Sequence, residues 1–108
     1  MTDLHDSIRQ YFEATNKRDF NAAITAFTPD AIVRDEGNTY NGLPEIRAWM
    51  EGAAKQYSTT AEVLSSSEIS DRPTVKARVT GTFPGSPITL SFFFVLSDEK
   101  INTLEIKV

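Results

Sequence analysis

The chain has 108 residues, room for one domain at roughly 100–200 residues per domain, and 40% of them are hydrophobic. Its 15 acidic against 11 basic residues leave a formal charge of −4, which disfavours nucleic acid and anionic membrane surfaces as partners. Cysteine is absent and histidine occurs once, as His5, so disulfides, thiolate nucleophiles, cysteine-ligated zinc and iron–sulfur clusters are excluded. A Ser-His-Asp triad or a paired-histidine metal site would have to use that one residue, close to the start of the sequence. Carboxylates, hydroxyls, phenols, lysine and arginine remain as the chemical repertoire.

Leu4, Ile8, Tyr11, Phe12 and Thr15 recur at i, i+4, i+7, i+8 and i+11, the stripe of an amphipathic helix. Thr2 is its expected cap, and Asn16-Lys17-Arg18 its expected end. Asp19 starts a second, shorter helix through Phe20, Ala23, Ile24 and Phe27, which Pro29 is expected to stop. Ala31 to Asp35 reads as a short strand, followed by a polar loop to Asn41-Gly42. Pro44 suits the first turn of a third helix, whose apolar face is Ile46, Trp49, Met50, Ala53 and Tyr57.

From Thr59 the period changes to two. A weak strand leads toward Ile69, and Asp71-Arg72-Pro73 is a turn. Val75, Ala77 and Val79 then alternate with polar residues in a strand with one wet face. Phe83-Pro84-Gly85-Ser86 has the form of a type II turn. Ile88 to Leu96 is almost wholly apolar, so both of its faces are expected to be covered. Asp98-Glu99 turns the chain into a last strand, Ile101 to Val108. Helices followed by antiparallel strands give an α+β fold, a single domain over residues 1–108. A twisted sheet of about four long strands can curl around the helices and enclose a cleft.

No apolar run is long enough for a membrane helix, and the acidic N-terminus lacks the features of a signal peptide, so a cytoplasmic location is expected. No phosphate-binding glycine loop or metal-ligand spacing occurs, and neither cofactor nor metal is expected. Asp35 is the first candidate for chemistry. If it shares the inward parity of Val33 and Ala31, it is a poorly solvated carboxylate suited to act as a base. The opposite parity buries Ile32 and leaves Asp35 opening a solvated turn, and alternation alone leaves both open. Tyr11, on the helical stripe, needs a partner for its hydroxyl, which could be a developing enolate oxygen or a neighbour in the core. Trp49 and Phe93 suit a ligand wall and fit core packing equally well. His5, Lys76, Arg78 and Glu105 read as solvated.

The order Ile8-Arg9-Gln10-Tyr11-Phe12, Asn16, Asp19, Ala26-Phe27, Asp30-Ala31, Asp35, Gly42 and Ile46-Arg47 resembles the nuclear transport factor 2-like superfamily, nearest its SnoaL-like proteins and ketosteroid isomerases. The resemblance spans essentially the whole chain. It implies three helices packed in a strongly curved antiparallel sheet, a cone-shaped α+β barrel of cystatin-like topology, with an inward Asp35. It further implies Asp35 as the proton-transfer base and Tyr11 as the donor to an enolate. That isomerase is a standard illustration of two carboxyl groups held in opposite protonation states. Its second acid falls near Ser91, and Met50 stands where a supporting tyrosine occurs. Trp49, Phe93, Val79, Ser91 and Leu104 are the expected pocket residues. The expected ligand is a small apolar carbonyl compound, turned over or only bound, and the expected partner a second copy against the sheet. A pure interaction module of the same fold is the alternative.

Overall fold

The computed structural model describes residues 4–69 and 72–108. Helix α1 (Asp6–Asn16) buries Ile8, Tyr11, Phe12 and Ala14 and has His5 at its N-cap position. The expected cap, Thr2, lies outside the described residues, as does Asp71 of the expected turn. The helix ends in a Schellman arrangement: the Asp19 N–H reaches Ala14 O at 2.9 Å and the Arg18 N–H reaches Thr15 O at 3.1 Å. Arg18 takes the left-handed conformation that this motif usually gives to glycine. The chain reverses at once, because the Asp19 carboxylate accepts from Ala22 N–H at 3.1 Å and starts α2 (Phe20–Ile24).

Strand β1 (Phe27–Asp35) begins earlier than the sequence pattern suggests. Pro29 lies inside it, where pairing with the last strand shifts register between Phe27 and Ile32, and such an irregularity tolerates a residue with no N–H. Asn102 fills the gap, donating to Thr28 Oγ1 at 3.0 Å and to the Asp30 carboxylate at 3.3 Å. The expected polar loop is a hairpin. Asp35 pairs with Asn38 across Glu36 and Gly37, both at positive φ, and β2 (Asn38–Asn41) runs back along β1. Helix α3 (Gly42–Tyr57) follows, with Ile46 and Met50 buried. The Glu45 carboxylate accepts from Asn41 N–H at 2.9 Å across the first turn.

The remaining strands are β3 (Thr60–Ile69), β4 (Arg72–Thr80), β5 (Ile88–Ser97) and β6 (Lys100–Lys107). Among the described residues, six strands form one curved sheet in the order β2-β1-β6-β5-β4-β3, with three helices. All neighbours are antiparallel except β1 and β6. The turn between β4 and β5 has the expected form, with Gly85 at φ +91° and Ser86 N–H on Phe83 O.

Val33 and Leu104, Phe94 and Leu104, and Val75 and Phe92 are register partners on the inner face, which α1 and α3 cover. Phe27, Phe94, Ile8, Ile46, Ile101 and Leu104 are completely buried there, each contributing roughly 1.5–3 kcal/mol by its removal from water. Tyr11 sits edge-on to Phe12, Phe27 and Phe94 at 5.0, 5.7 and 6.3 Å. At the far edge the Asn16 side-chain amide makes a pair of hydrogen bonds with Ala61, accepting from its N–H at 2.9 Å and donating to its carbonyl at 2.8 Å.

On the outer face, Phe93 and Val95 are 40% and 37% exposed, so β5 is not covered on both sides within one chain. The β5–β6 loop, Asp98-Glu99, places two non-glycine residues at positive φ, +50° and +64°. A left-handed conformation is unfavourable for such residues. Glu99→Gly creates the Asp-Gly pair that a two-residue hairpin loop prefers and is expected to stabilise the fold by about 0.5–1 kcal/mol, a rise of a few degrees in thermal midpoint. Thermal unfolding followed by circular dichroism checks it.

Candidate functional site

Between α1, α3, the β1–β2 hairpin and the inner faces of β4, β5 and β6 lies an open cleft of about 1270 Å³. Its floor and walls are largely apolar, including Phe12, Met50, Val79, Leu90, Phe92 and Ile106. Its mouth is bordered by the β4–β5 loop, where Phe83 meets Tyr57 of α3 edge-on at 5.9 Å. That loop is tied to α3 by the Thr82 N–H, 2.7 Å from Tyr57 O. Gly81 is needed for this approach, since a Cβ there would stand 2.5 Å from the same carbonyl oxygen.

Asp35 enters the cleft because the β1 alternation puts it on the face of Ala31 and Val33, both wholly buried, opposite Ile106 in register. It is half-buried at the last position of the strand, just before the turn. Trp49 lies across from it, brought inward by the same α3 face that buries Ile46 and Met50. The Trp49 indole N–H donates to Asp35 Oδ2 at 3.1 Å. Tyr40 of β2, the register partner of Val33, stacks against Trp49 with ring centroids 5.9 Å apart and planes tilted by 32°.

Tyr11 also lines the cleft, and its ring is held in the aromatic cluster. Among the described residues no hydrogen bond is made by its hydroxyl. Burial pushes the phenol well above its ordinary pKa, and the Asp35 charge pushes in the same direction, so Tyr11 is a proton-bearing donor at every physiological pH. Burial also raises the Asp35 carboxyl. The Trp49 hydrogen bond opposes that rise, the neighbouring Glu36 charge adds to it, and the Glu36 backbone N–H opposes it. A carboxylate poised upward beside a phenol can exchange a proton with a carbon acid and stabilise the resulting oxyanion.

The expected pocket residues divide. Tyr11, Asp35, Trp49 and Val79 all line the cleft. Ser91 and Phe93 do not: their parity on β5 is the outer one, opposite Lys76 and Thr74 of β4, and Phe93 faces solvent. The inner β5 residues are Leu90, Phe92 and Phe94, none with a side-chain donor. The nearly unbroken apolar run carried no alternation from which that parity could be read. Leu104 is inward but fully buried in the core beneath the cleft, and Ile106, two residues on, supplies the wall. Tyr40, missed in the sequence because β2 read as loop, joins the site through Trp49. His5 is exposed and pairs with Glu68 at 2.8 Å, away from the cleft. No group of three His, Asp or Glu side chains among the described residues could hold a metal ion. Among these residues no helix is long and apolar enough to cross a membrane.

Because burial raises the Asp35 carboxyl, the folded chain binds its proton more tightly than the unfolded chain does. Stability therefore falls as pH rises from the ordinary aspartate value through the raised one. Asp35→Asn keeps an acceptor for Trp49 and removes this cost. Urea unfolding is expected to show the variant more stable than the parent at neutral pH, with the advantage vanishing in acid below the ordinary aspartate range.

A comparison with curated proteins finds no match. Among solved structures, a protein of Sinorhizobium meliloti described as a candidate polyketide cyclase superposes with a TM-score of 0.94 at 42% identity, over 97% of this chain and 96% of its own. A cystatin-fold protein of Novosphingobium aromaticivorans matches at 18% identity with a TM-score of 0.80, covering 100% and 99% of the two chains. A protein of Catenulispora acidiphila with a ketosteroid isomerase-like fold, crystallised with trimethylamine, matches at 18% identity with a TM-score of 0.84, covering 100% and 87%. The SnoaL-like domain family matches residues 8–103, nearly the whole sequence, and with this cleft and sheet the chain belongs to that family.

Proposed function

We propose that the chain takes a small, apolar, carbonyl-bearing molecule into the cleft and moves a proton on it, with Asp35 as base and Tyr11 as oxyanion donor. The observation that carries this reading is the half-buried Asp35 carboxylate in the cleft, raised by burial and electrostatically coupled to a buried phenol. The similarity to a candidate polyketide cyclase at 42% identity supports the same class of carbonyl chemistry.

In the first step the ionised Asp35 carboxylate removes a proton from the carbon next to the carbonyl. The C–H electron pair shifts into the carbon skeleton and negative charge develops on the carbonyl oxygen. The Tyr11 hydroxyl donates to that oxygen, in a setting where apolar walls strengthen the hydrogen bond. Protonated Asp35 then returns the proton to a carbon of the enolate, at the original position or at a conjugated one. Atoms and charge balance within substrate and carboxyl. Val79, Phe92 and Ile106 supply apolar contact. With Leu90 and Phe92 on the inner face of β5, oxyanion stabilisation falls to Tyr11 without a second carboxylic acid.

A panel of cyclic and conjugated ketones incubated with the protein in heavy water tests this by deuterium uptake at the α-carbon, read by NMR. The parent chain is expected to exchange at least one of them. Asp35→Asn is expected to slow that exchange by about 10²-fold or more, and Tyr11→Phe by about 10²–10³-fold. Ketones that bind without exchange in the parent chain overturn proton transfer and leave a binding protein.

The same reading includes a second copy of the chain over the outer sheet face, where Phe93 and Val95 stand exposed on the central strand β5. Light scattering is expected to give a dimer for the parent chain and a monomer for Phe93→Glu, with the cleft residues untouched.

A further inference from the structure

Trp49 has two features that an aromatic wall does not need. Its indole N–H is used on Asp35 Oδ2 at 3.1 Å, and its ring is backed by Tyr40 at 5.9 Å. Tyr40 is fixed in turn by β2, whose pairing with β1 ends at Asp35 itself. The carboxylate, the indole and the backing phenol thus form a closed loop through β1, α3 and β2.

We propose that Trp49 is a positioning residue for Asp35: its indole N–H fixes the carboxylate by Oδ2, so that proton pickup occurs at Oδ1, the oxygen that Trp49 does not hold. This deepens the proton-transfer reading and rests on it for its catalytic meaning. An aspartate side chain turns freely about its last bond, and a base that rotates meets the substrate with either oxygen at varying angles. A base pinned through one oxygen presents one lone-pair direction, the condition for a positioned general base. Donation from an indole also favours the charged form, and it offsets the burial and the Glu36 charge that both favour the neutral acid. Trp49 thereby favours the ionised form, in which Asp35 can act as a base.

The other titratable groups lining the cleft are Tyr11 from α1, Arg18 just after it, Arg34 and Glu36 beside Asp35, Tyr40 from β2, Glu45 and Tyr57 from α3, and the Glu105–Lys107 pair on β6. Of these, Glu36 acts on Asp35 through its charge, and Tyr11 is coupled to it. The remainder make no resolved contribution to its titration, which leaves Trp49 as the neighbour whose side chain favours the ionised state.

The experiment needs no substrate. The chain has one tryptophan, so a ¹⁵N-labelled sample gives one indole N–H cross-peak. That peak is expected to shift with pH at a midpoint above the ordinary aspartate value and to lose this titration in Asp35→Asn. In Trp49→Phe the Asp35 side-chain ¹³C titration is expected to move upward by about one pH unit. An indole peak that ignores pH across that range in the parent chain overturns the proposal, whether or not the Trp49 variant folds. So does an unchanged Asp35 midpoint in a folded Trp49→Phe. These readouts are independent of ketone exchange, so a protein that shows the indole titration and exchanges no ketone retains the Trp49–Asp35 pair and loses the proton-transfer reading.

Discussion

The parallel pairing of β1 with β6 is the constraint on which the rest of the architecture depends. It joins the helical first half to the strand meander of the second, across most of the length of the chain. Its register puts Val33 beside Leu104 and Asp35 beside Ile106, so the strand that carries the acid is fixed in the middle of the hydrophobic layer. The irregularity near Pro29, filled by the Asn102 side chain, lets an N-terminal segment with an awkward residue join a regular sheet without losing that register. Once β1 is fixed, the short hairpin to β2 and the start of α3 follow within a few residues, and Asp35, Tyr40 and Trp49 are all carried by one continuous piece of chain.

Two terms of opposite sign meet at one carboxyl group. Removal from water favours the neutral acid and the indole donor favours the anion, and the balance lies on the raised side. The tyrosine is simpler: burial among Phe12, Phe27 and Phe94 keeps its proton in place.

Much of this was legible in the sequence wherever a residue pattern had one physical cause. The 3.6-residue stripes of α1 and α3, the Asp19 cap and the Pro84-Gly85 turn each follow from local chemistry, and so does the alternation of β4. The resemblance to the SnoaL-like group carried the architecture further than periodicity could. What escaped was decided by non-local packing. β2 has four polar or aromatic residues behind a turn with glutamate at a left-handed position, so it looks like loop until it is seen paired with β1. β5 is apolar on both faces, and its inward set was fixed only by the register with β4 and β6, which moved Ser91 and Phe93 to the outside. The bond between Trp49 and Asp35 joins residues 14 positions apart on different elements, and no spacing rule announces it.

The amide of Asn16 at the other end of the sheet bears on how this chain avoids its own kind. β3 is a terminal strand, and a terminal strand offers bare donors and acceptors to any extended segment that drifts past. At Ala61 both of those groups are already taken by one asparagine side chain that imitates an incoming strand. The helix thereby blocks the start of a ladder at that point of the edge.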